Sequence, residues 1–105
     1  MKDATDLFAR RYLQEAKRII DEIDVQAVDR MTQLLVQLRE SGGRLFLIGA
    51  GGGAGHAGHA VCDFRKIAGI EAYSPSDNVA ELTARTNDEG WETTYAGWLR
   101  VSRLS

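Results

Sequence analysis

The sequence predicts an α/β fold: a parallel sheet, incomplete in this chain, preceded by a pair of helices. Three observations predict it. Apolar residues recur at helical spacing through roughly the first 40 positions. A short, wholly apolar run, Leu45-Phe46-Leu47-Ile48, then lies between glycines, as expected for a strand buried on both faces of a parallel sheet. A glycine-rich turn follows that run directly and opens into another helical pattern.

The first helix is expected over roughly Thr5–Ile23, where Phe8, Tyr12, Ala16, Ile19, Ile20 and Ile23 share one face. Asp24 or a neighbour breaks it. Val25, Val28, Met31, Leu35 and Leu38 trace a second amphipathic helix, which Ser41-Gly42-Gly43 ends. These two apolar stripes need partners, either the domain's own sheet or another subunit. After the strand and the glycine turn, Gly55–Ile67 reads as a helix and Ile70–Tyr73 as a second strand closed by Ser74-Pro75-Ser76. A short helix follows, with Asn78 and Glu81 at capping-box spacing. Arg85–Glu92 is polar and reads as a loop, and Glu92–Ser102 as a last helix carrying Tyr95, Trp98, Leu99 and Val101. Two strands are too few for a finished sheet.

Composition narrows the function classes. The 105 residues fit one small domain. Hydrophobic content of 44% and charged content of 27% are ordinary for a folded, soluble protein. A net charge of −2, with no Lys/Arg cluster, argues against a nucleic-acid partner. The single cysteine, Cys62, excludes an intrachain disulfide, fits a reducing cytosol, and reads as a small buried hydrophobe. No run approaches the apolar length of a membrane span, and Met1–Asp6 has no signal-peptide core, so the expected compartment is the cytoplasm.

The turn Gly49-Ala50-Gly51-Gly52-Gly53-Ala54-Gly55 carries five glycines in seven residues. Glycine lets a chain turn sharply and lets a ligand approach the backbone without a Cβ in the way. The first amides of a helix lack internal acceptors, and the helix dipole adds partial positive charge there. Strand, glycine turn and helix N-terminus together make an anion site, usually for phosphate. One or two glycines suffice for tight packing alone. A dinucleotide is the rival ligand: Gly49-x-Gly51-x-x-Ala54 fits that fingerprint, and Glu71 lies about 20 residues on, where a ribose-binding acid belongs. Against it, Glu71 opens its strand rather than closing it, and two helices precede the first strand.

His56, His59 and Asp63 fall at i, i+3 and i+7 of the following helix and share a face. His59 and Asp63 suit a metal pair, a general base oriented by a histidine, or a surface pair. His56 reads as a rim or surface residue. Asn87-Asp88, in the polar segment, suit either hydrogen bonds to sugar hydroxyls or a turn and cap. Trp91 and Trp98 read as packing or interface residues.

This arrangement resembles the sugar-isomerase (SIS) domain family of phosphoheptose isomerase type. The resemblance rests on the helical pair, the run Gly42-Gly43-Arg44-Leu45-Phe46-Leu47-Ile48-Gly49, the glycine turn, the helix with His59 and Asp63, and Asn87-Asp88 before an aromatic helix. It covers nearly the whole chain but about the first half of the family's domain. It implies a flavodoxin-like, three-layer SIS fold, divided into an N-terminal helical hairpin at 1–41 and the first part of the SIS domain at 42–105. It also implies an aldose–ketose isomerase acting on sedoheptulose 7-phosphate, with a phosphosugar sensor as the non-catalytic alternative. By the same resemblance Ala50, Gly51, Gly52 and Gly53 contact the substrate, and Asn87 and Asp88 bind it. His59 is a metal-binding histidine, and Asp63 stands where the family has a glutamate that is base and metal ligand. A divalent metal such as zinc and a homotetramer are implied too. The chain departs from the family in having Ala50 for an asparagine and Gly53 for a serine. Asp63 is also one methylene shorter than the glutamate it replaces. The family's acid partner is expected from sequence beyond Ser105 or from a neighbouring subunit.

Overall fold

The structure, a computed structural model, describes residues 4–104, and side-chain surroundings from Leu7 onward. Met1–Asp3 and Ser105 therefore lie outside the described residues. Residues up to Leu34 form one compact unit and those from Leu35 on form another.

In the first unit, helix α1 spans Ala4–Glu22 and helix α2 begins at Val25. Asp24 separates them by capping α2: its carboxylate accepts the Ala27 amide at 3.0 Å, satisfying one of the donors a helix start leaves open. The apolar side chains on these helices stay out in solvent. Phe8, Tyr12, Ile19, Ile20 and Met31 are all more than half exposed.

In the second unit α2 runs on to Glu40 and closes in a Schellman arrangement. Gly42 takes φ +71°, and the Gly43 amide donates to Leu38 O at 2.9 Å. Strand β1 is Arg44–Phe46 and pairs in parallel with strand β2, Glu71–Tyr73, in the register Arg44 with Glu71 and Phe46 with Tyr73. The Leu47 amide adds one more bond, to Tyr73 O. The expected four-residue buried strand is corrected here: Ile48 lies beyond β1 and is 50% exposed. β2 is β1's one strand neighbour among the described residues, so β1 keeps one unpaired edge there.

Helix α3, Gly52–Lys66, packs on β2 through Ala57 and Val61. With Ile70 and the fully enclosed Ala72 they form the core. Burying a Val or Ile side chain contributes about 1.5–3 kcal/mol, so this small cluster matters to the unit. Cys62, expected inside, is exposed, because the buried face of α3 is set by Ala57 and Val61 and position 62 is rotated off it.

A 3₁₀ turn at Pro75–Asp77 leads to helix α4, Val79–Glu89, capped as expected by the Asn78 side chain accepting the Glu81 amide at 3.1 Å. Arg85–Glu89, read as loop, are helical. Arg85 bridges Glu81 at 2.8 Å and Glu89 at 3.9 Å, ion pairs at helical spacing that carry α4 through a stretch with no apolar periodicity. After a second 3₁₀ turn, Trp91–Thr93, helix α5 covers Thr94–Val101. Thr94 is 2% exposed, and its hydroxyl donates to Gly90 O at 2.9 Å and meets the Thr86 hydroxyl at 3.2 Å. These bonds fasten the end of α4 to the start of α5.

Candidate functional site

The glycine turn leaves β1 at the carboxyl end of the parallel sheet, where α/β folds place their ligands. It is shorter than the sequence reading had it. α3 begins at Gly52, with Gly51 as its N-cap at φ +55°, so Gly52, Gly53, Ala54 and Gly55 form the first helical turn. The amides of Gly53, Ala54 and Gly55 donate to the carbonyls of Ala50 and Gly51 at 2.9–3.2 Å. Those of Ala50, Gly51 and Gly52 have no acceptor among the described residues. The donors available to an anion are therefore these three.

The five glycines divide by cause. Gly49 is required by packing, because a Cβ there would overlap the carbonyl of Gly53. Gly51 is required by its positive φ, a conformation that costs side-chain-bearing residues. Gly52, Gly53 and Gly55 answer to neither. A Cβ on each would point into open space, and none has a positive φ. A glycine in a helix costs about 1 kcal/mol relative to alanine, so three of them in one turn weaken the start of α3 with no return in packing.

His59 and Asp63 lie one turn apart on α3, with Nε2 and Oδ2 3.3 Å apart and side chains 78% and 51% exposed. An exposed pair of this kind contributes well under 1 kcal/mol to stability. No group of three His, Cys, Asp or Glu side chains able to hold a metal occurs among the described residues. Zinc in a protein ordinarily takes at least three side-chain ligands, so this pair does not hold one unaided. His56 is exposed on the same helix.

Asn87 and Asp88 occupy the last turn of α4, not a loop, and are exposed, with Asn87 Nδ2 donating to Asp88 Oδ1 at 3.0 Å. No hydrogen bond or ion pair among the described residues joins them to the glycine turn or to the His59–Asp63 pair. What does reach the turn is Tyr95, on α5. Its hydroxyl donates to Gly49 O at 2.6 Å, and its ring meets the edge of the half-exposed Trp91 at 5.2 Å. Sequence reading placed Tyr95 merely on an apolar helix face; nothing local marks a bond to a residue so distant in the chain. Trp98 packs edge-on against Phe46 at 5.8 Å, as a packing residue.

Glu71 opens β2 beside Arg44, with 3.9 Å between its Oε2 and Arg44 Nε. In a parallel pair that places it at the edge opposite the glycine turn, so it is not where a ribose-binding acid belongs. An open groove of about 600 Å³ is also elsewhere, lined by residues including Val61, Arg65, Ala72, Ser74, Asp77 and Trp98. The turn itself is open to solvent.

Among curated proteins, the chain is 31% identical to a phosphoheptose isomerase of Roseiflexus sp. (strain RS-1) over 107 residues, covering 91% of this chain. Over that span the chain is similar to phosphoheptose isomerase. It spans about half the length of that curated relative, 54%. Among solved structures, the phosphoheptose isomerase GmhA from Neisseria gonorrhoeae matches 98% of this chain and 57% of its own, with a TM-score of 0.82. At 21% identity that likeness concerns the fold, and the α/β arrangement with its two-stranded parallel sheet fits an incomplete SIS fold. No family model matches. No helix among the described residues is long and apolar enough to cross a membrane.

Proposed function

We propose that this chain supplies the phosphate-gripping turn and the proton-transfer pair of an aldose–ketose isomerase acting on sedoheptulose 7-phosphate. The observation that carries the reading is the bare first turn of α3: Gly52, Gly53 and Gly55 face open space and are needed for neither packing nor backbone conformation. Their stability cost is explained if a substrate phosphate approaches the amides of Ala50, Gly51 and Gly52. The 31% identity to a phosphoheptose isomerase supports the choice of substrate.

The chemistry follows from what each group can do. With the phosphate on the turn, Asp63 removes a proton from the carbon beside the carbonyl and returns it to the adjacent carbon through an enediol. His59, 3.3 Å away, orients the carboxylate. Asn87 and Asp88 hold sugar hydroxyls by donating and accepting hydrogen bonds. An acid that moves the hydroxyl proton comes from outside the described residues. His59 and Asp63 would give two donors to a divalent ion such as zinc, the rest coming from elsewhere; such an ion would stabilise the enediolate.

The finer architecture belongs to the same proposal: a three-layer, flavodoxin-like SIS domain from residue 42 on, with residues 1–41 as a helical hairpin for subunit contacts. The exposed apolar side chains of α1 and α2 support a homo-oligomer, a tetramer by resemblance, and the expected compartment is the cytoplasm.

A second reading, a phosphosugar sensor without turnover, is favoured by two departures: Ala50 and Gly53 offer the sugar no side-chain donors, and Asp63 is shorter than a glutamate. The test is a thermal-shift panel with sedoheptulose 7-phosphate, inorganic phosphate, NAD and NADP, followed by a chromatographic assay for the isomeric heptose phosphate. Stabilisation by the sugar phosphate with turnover supports the isomerase, and stabilisation without turnover the sensor. Stabilisation by NAD alone rejects both.

A further inference from the structure

We propose that Tyr95 is the positioning residue of the glycine turn: its hydroxyl fixes the direction of the Ala50 amide that receives the phosphate. The inference rests on the anion reading of the turn and adds to it a residue some distance along the chain.

The bond is short, 2.6 Å, and its direction is unambiguous, because a carbonyl oxygen only accepts and the phenol must donate. Its acceptor, Gly49 O, belongs to the same planar peptide as the Ala50 N–H. In a trans peptide the N–H points opposite to the C=O, and the chain has no cis peptides among the described residues. Anchoring the carbonyl to Tyr95 therefore aims the amide away from α5. That amide has no acceptor among the described residues.

No other hydrogen bond among the described residues holds the two polar groups of this peptide plane. The plane turns about Gly49 ψ and Ala50 φ, and Gly49 has no side chain to restrict the first of these rotations. Tyr95 itself is well held. It is half-buried in the first turn of α5, one residue after the buried Thr94, and its ring lies against Trp91. A rigid donor grips a flexible backbone. The bond also polarises the peptide and makes the Ala50 N–H a stronger donor to an anion.

The experiment titrates inorganic phosphate and sedoheptulose 7-phosphate into ¹⁵N-labelled wild type, Tyr95→Phe and Thr86→Val, following the amides of Ala50, Gly51 and Gly52. Phe keeps the ring packing and removes only the donor. Thr86→Val removes a different internal hydroxyl and controls for general loosening. Tyr95→Phe is expected to move the Ala50 amide in the ligand-free protein and to weaken phosphate binding by about 3- to 10-fold, the worth of one net hydrogen bond. Thr86→Val should leave that affinity unchanged. In wild type, phosphate should also shift the Gly49 carbonyl ¹³C resonance, a readout that needs no substitution. Wild-type affinity with an unmoved Ala50 amide in Tyr95→Phe overturns the proposal, as does an equal loss in Thr86→Val. If phosphate perturbs none of these amides in the wild type, the anion reading fails first and this inference falls with it, before any variant is compared.

Discussion

Gly49 and Gly53 touch so closely that no side chain fits between them: a Cβ on Gly49 would overlap the Gly53 carbonyl and crowd the Ala54 amide. The obstacle is backbone in the first turn of α3, which cannot swing aside as a side-chain tip can. Gly49→Ala is therefore expected to destabilise the fold by about 2 kcal/mol or more, in the range of overpacked sites. Urea denaturation checks it, and an unchanged midpoint would remove the packing explanation for this glycine.

Gly53→Ala should behave in the opposite way. Its Cβ meets nothing within 4 Å, and its φ is not positive. Replacing glycine by alanine in a helix raises stability by about 0.5–1 kcal/mol. The same methyl group stands where the proposal puts the phosphate, so sugar-phosphate affinity should fall even as the melting temperature rises. A variant that is both more stable and equally tight would argue that the bare turn serves no ligand.

For Asp63, function and stability separate. Its partner His59 is 78% exposed, so Asp63→Asn should change the unfolding free energy by no more than about 0.5 kcal/mol. As the proposed base its loss should cut isomerisation by about 100-fold or more. Assays on the protein with its full complement of sequence and subunits measure this, and turnover that survives the substitution shows that another group moves the proton. Asp63→Glu, which restores the missing methylene, should turn over at least as fast as the parent.

Asn78 is the N-cap of α4, its side chain accepting the Glu81 amide at 3.1 Å. Asn78→Ala should cost about 1 kcal/mol by leaving that amide unsatisfied. Thermal unfolding provides the measurement. Phosphate affinity should not move, since Asn78 touches neither the glycine turn nor Tyr95.

The outlines of most elements were legible locally. Asp24, Gly42 and Asn78 mark helix ends by side-chain or backbone chemistry that acts within a few residues, and each does so in the structure. Among the boundaries that differ, two helix limits were missed for identifiable reasons. Gly52, Gly53 and Ala54 looked like loop because glycine is a poor helix former, yet α3 starts at Gly52. Arg85–Glu89 looked like loop because apolar periodicity stops, yet the Glu81–Arg85–Glu89 ion pairs and the buried Thr86–Thr94 contact continue the helix.

At the candidate site, the sequence by itself determined that a glycine-rich turn joins a strand to a helix, and that His59 and Asp63 share a face one turn apart. Helical and strand periods are properties of a few consecutive residues, so composition and spacing suffice. Only the tertiary structure decided which glycines packing requires and which stand bare, and that Tyr95 holds Gly49. The first depends on the exact path of the backbone through the turn, and the second on atoms that meet across 46 positions of chain; no rule of spacing or propensity supplies either.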